Sequence, residues 1–272
     1  MWRPNIIFSW SCLLAIWAVS SSLPAQEAKP AVDKPAAEKP AADKPAPDKP
    51  ASDKPAADQP VIPDDPQPAE LVRLSKTGEI WLDTKRKAVV IDGQVCLREG
   101  NLEMFACPKG TKEHESVVSL NCQPEEAHAG LLAAGAKIGK PVRFDPKYEP
   151  ASGDIIDIYV LWRDEKGGKH QKKAQEWVKN VKTEKAMEFD WVFAGSGFWK
   201  DEETGKQHYQ ANGGDFICVS NFPSAMLDLP IESSQANGEL MFHALTENIP
   251  PKGTKVRLVM IPRKKAAAKP KP

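Results

Sequence analysis

The sequence predicts an α+β domain with a mixed, strand-rich sheet and two main helices. Short apolar runs bounded by turn residues recur between residues 69 and 262, which is typical of strands. Two segments, 124–134 and 234–247, are predicted to be helical. A Gly-x-x-Val-Arg-apolar hexapeptide follows each predicted helix, beginning at Gly139 and at Gly253. This repetition suggests a diverged duplication of a strand–helix–strand unit.

The predicted elements follow from local signals. Pro124 in a first turn with two acidic neighbours favours a helix start, and Gly135 favours its end. The remaining predictions for this half of the domain are a hairpin of 89–98 with 102–107 turning at Gly100-Asn101, a strand at 155–162, and a polar edge strand running to Trp177.

The first 25 residues have the pattern of a secretory signal peptide. Arg3 precedes an apolar run, 6–19, that is too short to span a bilayer, and small residues follow. Cleavage after Ser22 and cleavage after Ala25 both fit, and an uncleaved anchor is the alternative. We therefore expect an extracytoplasmic protein (periplasmic, in the cell envelope or secreted) with no transmembrane span after cleavage.

Residues 26–68 form a linker in which a proline recurs every fifth residue, as in Ala-Ala-Asp-Lys-Pro45. Proline at this period excludes a continuous helix, and the lack of large apolar side chains over most of the linker predicts disorder. The segment is either a spacer or low-complexity sequence without a role. The globular domain is predicted at 69–262 and a basic disordered tail at 263–272. Because 37 basic residues balance 37 acidic ones, nucleic acid is not expected as a partner.

Four cysteines lie in the predicted domain: Cys96, Cys107, Cys122 and Cys218. They allow three full disulfide pairings. In the predicted hairpin Cys96 and Cys107 are diagonal neighbours, about 7–8 Å apart between Cα atoms, which is long for a disulfide. We therefore expect buried thiols.

No catalytic or metal motif is complete. Ser196 lies between two glycines but lacks the Gly-x-Ser-x-Gly spacing of a nucleophile elbow. The cysteines show neither a Cys-x-x-Cys pair nor zinc-ribbon spacing. The sequence therefore predicts no catalytic residue, no metal ligand and no cofactor.

The most distinctive stretch is 190–223, where aromatic residues flank small ones. Surface aromatics favour recognition of a sugar or a protein, although such residues can equally form a core. The candidate ligand contacts are Trp191, Phe198, Trp199 and Tyr209.

A polar cluster is the second candidate site and consists of Cys107, Glu113, His114 and His128. If Cys107 met either histidine, a thiol- or metal-dependent enzyme would be the alternative function. His128 falls on the apolar face of the predicted helix, where a packed, hydrogen-bonded histidine is the commoner role.

Two blocks resemble the YdjY-type bacterial domain: Cys107-Pro-x-Gly-Thr-Lys-Glu-His-Glu-Ser116 with His128, and Asp190 to Trp199 continuing to Ser234. The resemblance covers roughly 76–262. It implies an exported protein and no particular reaction. An iron–sulfur cluster is not expected, because the cysteines are 11, 15 and 96 residues apart rather than clustered.

The sequence thus predicts an exported, non-enzymatic module of the envelope or periplasm that binds a ligand, with a cell-envelope polymer or a protein as the partner. The alternatives are the exported enzyme using Cys107 and a purely architectural wall protein.

Overall fold

The structure is a computed structural model that describes residues 70–234, 236 and 239–264. The predicted signal peptide, the predicted linker and most of the basic tail lie outside these residues.

The described residues contain one α-helix, short 3-10 turns and eighteen strands, several of them only two residues long. In chain order the helix and strands are β1 (Leu71–Arg73), β2 (Ile80–Asp83), β3 (Ala88–Val95), β4 (Met104–Pro108), β5 (Ser116–Leu120), α1 (Pro124–Ala133), β6 (Ile138–Lys140), β7 (Ser152–Gly153), β8 (Ile155–Arg163), β9 (Lys169–Lys173), β10 (Val178–Asn180), β11 (Lys185–Ala186), β12 (Trp191–Phe193), β13 (Phe198–Lys200), β14 (Gln207–Tyr209), β15 (Ile217–Cys218), β16 (Leu227–Asp228), β17 (Phe242–Ala244) and β18 (Lys255–Pro262).

Eight of these strands close into a barrel in the order β3-β18-β8-β12-β16-β15-β4-β5, with β5 pairing back to β3. Two neighbouring pairs, β4–β5 and β15–β16, are parallel, and the other barrel pairs are antiparallel. The predicted α+β class with two main helices is therefore wrong. The domain is a strand-dominated closed barrel with a single α-helix among its described residues.

Strand β3 explains how the ring closes. Its first half pairs with β2 (Ile80↔Ile91) and its second half pairs with β5 (Gly93↔Leu120). Because β5 also pairs with β4, it joins the two ends of the sheet and leaves no free edge at this seam. Alternate residues of β3, among them Val89 and Ile91, point into the main core, as an eight-stranded barrel filled by its own side chains requires.

Helix α1 lies where the sequence predicts it. The Glu126 carboxylate accepts the backbone N–H of Gln123 at 3.0 Å and so closes the first turn. The helix buries Ala127, Gly130 and Leu131. Gly130 allows close packing, because a Cβ there would lie 2.8 Å from the end of the Leu74 side chain. The helix thereby packs onto β2 and β3 at the barrel wall.

In the described residues 234, 236 and 239–247, the second predicted helix is absent. The described part of this segment forms β17, which pairs with β10 (Lys179↔His243), and the start of a 3-10 turn at Thr246–Asn248. The proposed duplication fails with it. Its first copy places Gly139 in β6, part of a two-stranded ribbon, whereas Gly253 precedes β18, a central barrel strand.

The hairpin predicted at Gly100-Asn101 is also wrong. The Leu102 N–H donates to the Phe242 carbonyl and the Ala244 N–H donates to the Gly100 carbonyl, so β17 captures the turn. Strands β3 and β4 are both bonded to β5 and not to each other. The predicted strand at 155–162 is correct and corresponds to β8. The predicted polar strand is β9, which pairs beside β8 but ends at Lys173, since Ala174–Trp177 forms a 3-10 turn. Among the described residues, no helix is long and apolar enough to cross a membrane.

Candidate functional site

The hairpin formed by β13 and β14 carries the exposed aromatic side chains of the 190–223 segment. Phe198 pairs with Tyr209 and Trp199 pairs with His208. Phe198 is 62% exposed and Trp199 is 49% exposed. The Trp199 and His208 rings stack with centroids 4.6 Å apart and planes 19° apart. We call residues 198–209 the aromatic hairpin.

Tyr209 anchors the aromatic hairpin to the barrel. Its side chain is buried, and its hydroxyl donates to the Gly195 carbonyl at 3.0 Å. Since that bond uses the tyrosine proton, His128 Nδ1, 2.8 Å away, must be the donor to the same oxygen. The His128 ring also packs edge-on against the Phe193 ring, with the two ring centroids 4.9 Å apart. Burial lowers the pKa of His128, so it acts as a neutral, structural hydrogen-bond donor.

The turn before the hairpin is built by residues 195–197. Gly195 and Ser196 have positive φ angles of 89° and 56°. A Cβ on Gly195 would meet the Ile138 side chain at 2.1 Å, so only glycine fits. The Ser196 hydroxyl donates to the Ser224 carbonyl at 2.6 Å and accepts the Ala211 N–H at 3.1 Å. These contacts give Ser196 a turn-stabilising role and fix the direction in which the hairpin leaves the barrel.

Trp191, the first aromatic residue of the 190–223 segment, lies in the barrel interior. Trp191 is fully buried in β12, its indole N–H donates to the Cys218 carbonyl at 2.7 Å, and its ring lies 5.5 Å from that of Phe105. The four candidate contacts therefore separate into two pairs. Trp191 and Tyr209 are buried, whereas Phe198 and Trp199 face solvent.

A second notable region flanks β5 and contains Cys96 and Cys107, two of the four buried free thiols of the described domain. Cys107, in β4, is fully buried, and Cys96, just after β3, is 6% exposed. The Cys96 thiol donates to the Ser116 carbonyl at 3.0 Å, and Cys107 pairs with Ser119 across the β4–β5 ladder. Cys96 is the main cause that lowers the pKa of Cys107 to about 7, and nearby polar groups of 111–116 add to this, while burial opposes it. Cys107 and burial together raise the pKa of Cys96.

The loop 109–115, which connects β4 to β5, is tied down through Lys112. The Lys112 ammonium lies 3.0 Å from Asp215 and 3.5 Å from Glu115, and it sits over the Phe222 ring at 4.7 Å. Burial by itself would lower the pKa of Lys112, but the nearby carboxylates, Asp215 foremost, outweigh burial and raise it. Sequence reasoning missed Lys112 and Asp215, although both lie in or beside the blocks that carry the family resemblance.

The structure does not bring the predicted polar cluster together. Glu113 accepts the Gly110 N–H within its own loop. His114 is exposed, with Glu115 at 3.7 Å as its partner, and His128 bonds to Tyr209. Within the described ranges, neither histidine is hydrogen-bonded to Cys107, and no group of three His, Cys, Asp or Glu side chains is placed to hold a metal ion.

A buried carboxyl lies beside Trp191's strand. Asp228 of β16 is opposite Val192 of β12 and is fully buried. Its Oδ1 accepts bonds from Asn221 at 3.0 Å and from the Leu229 N–H at 2.8 Å. Burial raises the pKa of Asp228 to about 7, and the two hydrogen bonds only partly offset this effect.

Comparison with known families identifies this arrangement. A family model for the YdjY domain matches residues 80–261. The chain belongs to the YdjY domain family. The match confirms the resemblance found in the sequence. In this chain the YdjY domain runs from the start of β2 into β18, so it contains the barrel strands, α1, all four buried cysteines and the aromatic hairpin. No curated protein and no solved structure matches the chain.

Proposed function

We propose that this YdjY domain is a non-enzymatic binding module of the extracytoplasmic envelope, and that the aromatic hairpin is its recognition surface. The observation that carries the proposal is the exposed ring of Trp199, stacked on His208 across the hairpin; Phe198 is also exposed and points to the other face, because successive strand residues alternate. Neighbouring exposed aromatics on a folded domain are typical of interaction sites. The signal-like N-terminal sequence and the proline-rich segment after it support the envelope location.

The chemistry of the hairpin favours a ligand with both apolar faces and hydroxyl groups. Trp199 offers a flat ring whose stacking on His208 fixes its orientation. Lys200 and Gln207, the next pair along the two strands, are exposed hydrogen-bonding side chains on the hairpin face that Phe198 occupies. A polysaccharide strand presents the matching combination, so a cell-envelope glycan is the proposed partner.

The preorganised anchor supports this role as well. Tyr209 and Ser196 hold the hairpin base through hydrogen bonds to the barrel and its loops. A surface held in this way loses less conformational freedom on binding, which improves affinity.

The thiol-dependent enzyme is not proposed. It requires Cys107 to lie within reach of His114 or His128, and in the described part of the chain both histidines have other partners.

Sedimentation with isolated, insoluble envelope polysaccharide tests the proposal. The full chain is expected to co-sediment, and Trp199→Ala is expected to weaken binding at least about tenfold, as loss of a central aromatic contact does. The matched control is Phe144→Ala, because Phe144 is similarly exposed at 47% but belongs to another part of the surface. This variant should bind like the unmodified chain.

Three results would contradict the proposal. Failure of the unmodified chain to co-sediment excludes the glycan. Equal binding by Trp199→Ala excludes the aromatic hairpin as the surface. Loss of binding after protease treatment of the polysaccharide identifies a protein partner instead, and competition by soluble oligosaccharide fragments would support the glycan.

A further inference from the structure

A cavity of about 620 Å³ lies where α1 and β18 both end. Residues 134–135, directly after α1, form one wall, and residues 261–262, the last of β18, form another. The turn between β2 and β3 borders the cavity with residues 86–87. The volume lies within the range of about 300–1,000 Å³ that is usual for ligand pockets. We call this space the terminal cavity.

The lining of the terminal cavity is partly apolar and mainly basic. Ala134, Ile261 and Pro262 supply apolar surface. Five lining side chains are basic and two are acidic, namely Arg86, Lys87, Lys137, Arg263 and Lys264 against Asp154 and Asp157. Both acids already have partners in the lining, because Asp157 is ion-paired with Arg263 and Asp154 accepts the Lys137 N–H at 2.9 Å. The terminal cavity therefore suits an occupant that combines apolar side chains with negative charge.

The chain enters the domain beside the terminal cavity. Leu71, the first residue of β1, pairs with Asp83 at the end of β2, and the Glu70 carboxylate lies 3.5 Å from the Lys85 ammonium in the turn that follows. Leu71 and Ile261 also pack against the same small apolar cluster. Since Lys264 lines the terminal cavity, the two ends of the described domain lie close to it.

The sequence just before this entry has the composition that the terminal cavity requires. Residues 61–66 read Val-Ile-Pro-Asp-Asp-Pro, and Val61 and Ile62 are the first large apolar side chains after the repeat. The two aspartates are adjacent, whereas the acids of the repeat from 33 to 53 are each followed by a lysine. From Glu70 back to Ile62 the chain spans eight residues, or at most about 28 Å. This length is sufficient to reach a cavity that borders the β2–β3 turn.

We propose that residues 61–66 dock in the terminal cavity, with Val61 and Ile62 against its apolar wall and the two aspartates beside its basic side chains. Prolines within and next to the segment restrict its backbone to extended geometry, which reduces the conformational entropy lost on docking. The contact holds the end of the linker against the domain and sets the direction in which the linker leaves. It does not depend on what the aromatic hairpin binds.

The basic tail is the other segment that starts at the terminal cavity. Residues 263–272 contain five basic residues and no acidic one. Their charge has the same sign as the excess charge of the lining, so the two repel each other. Charge complementarity therefore favours residues 61–66 as the occupant.

Photo-crosslinking of the full chain tests the docking. Benzoyl-phenylalanine replaces Ile62, the chain is irradiated, and its tryptic peptides are mapped by mass spectrometry. Trypsin produces peptides 113–137 and 258–263, which contain the two apolar walls of the terminal cavity. The matched control carries the same photoreactive residue at Ser52, inside the repeat.

The expected result is a crosslink from position 62 to peptide 113–137 or 258–263 of the same chain, at a yield at least about fivefold above that from position 52. Equal yields from the two positions, or crosslinks confined to other surfaces, would overturn the proposal. Crosslinks that join two chains through these peptides would assign the terminal cavity to a second copy instead.

Charge variants test the ionic part of the contact in the chain that carries the photoreactive residue at position 62. Asp64→Lys combined with Asp65→Lys is expected to lower the crosslinking yield about threefold or more, because attraction to the basic lining becomes repulsion. Asp48→Lys combined with Asp53→Lys makes the same change of net charge within the repeat and should leave the yield unchanged. An equal loss in both double variants would contradict docking through the two aspartates.

Discussion

Trp191 and Trp199 lie eight residues apart in the same segment and have opposite environments. Trp191 is fully buried in a barrel strand and bonded to the Cys218 carbonyl, whereas Trp199 is 49% exposed on a hairpin and stacked on His208. Between them the turn at 195–197 leads the chain out of the barrel. The same residue type thus maintains the fold at one position and offers a surface at the other.

This difference separates the residues that hold the fold from those of the proposed recognition surface. The barrel around Trp191 is closed and packed, so it can hold a projecting element without being altered by what that element binds. Tyr209 is the point of attachment, since it belongs to the hairpin but is buried against the barrel. The two tryptophans can therefore be changed independently, and four predictions follow this contrast from its largest effect to its smallest.

Replacing the buried tryptophan should have the largest effect. Trp191→Ala is expected to lower the free energy of unfolding by up to about 5 kcal/mol, through lost burial and the cavity left behind. Urea denaturation measures the change. Trp191→Phe should lose less, because it keeps a ring against Phe105 but not the bond to Cys218. A loss below about 1 kcal/mol for Trp191→Ala would show that the barrel does not depend on this residue.

Asp228 adds a pH dependence to the buried side of the comparison. Its pKa is about 7 in the folded chain and close to the ordinary value of 3.8 in the unfolded chain. Between pH 4 and 7 the folded chain therefore keeps a proton that the unfolded chain has lost, and the free energy of unfolding falls as pH rises through this range, by roughly 4 kcal/mol in all at 1.4 kcal/mol per unit.

The Asp228→Asn variant should lack this contribution and should be more stable than the unmodified chain at pH 8. Thermal or urea unfolding at a series of pH values measures both effects. An identical pH dependence in the variant and the unmodified chain would mean that Asp228 is ionised in the folded chain throughout the range.

The attachment point should show an intermediate effect. Tyr209→Phe removes the hydroxyl that bridges His128 and Gly195 and is expected to lower the free energy of unfolding by about 1–2 kcal/mol. Tyr148→Phe is the matched control, because its hydroxyl makes one longer bond, 3.3 Å to Asn221, at a less buried site. Equal losses for the two variants would argue against a special anchoring role for Tyr209.

The exposed tryptophan should matter least to stability. Trp199→Ala is expected to change the free energy of unfolding by about 0.5 kcal/mol or less, since half of the side chain already faces water. The same urea titration used for Trp191→Ala measures it. A loss above about 2 kcal/mol would place Trp199 among the residues that hold the fold and would remove the contrast between the two tryptophans.

Much of the local structure could be predicted from the sequence. Pro124, its acidic neighbours and Gly135 are enough to place α1, because helix ends depend on residues within one turn. The apolar run at 155–162 is likewise sufficient for β8. The two blocks that resemble the YdjY domain identify the family. The aromatic and small residues of 190–223 distinguish the segment that contains the aromatic hairpin by composition alone.

The tertiary structure decided what depends on distant partners. Residues 242–244 become strand β17 because β10, some sixty positions earlier, supplies the hydrogen bonds. Gly100-Asn101 makes no hairpin because β17 takes the backbone hydrogen bonds on both sides of that turn. Closure of the barrel and the burial of Trp191 beside the exposure of Trp199 both have this origin. Local propensity and side-chain periodicity report only on neighbours in sequence, whereas strand partners and the buried face are selected by the whole chain.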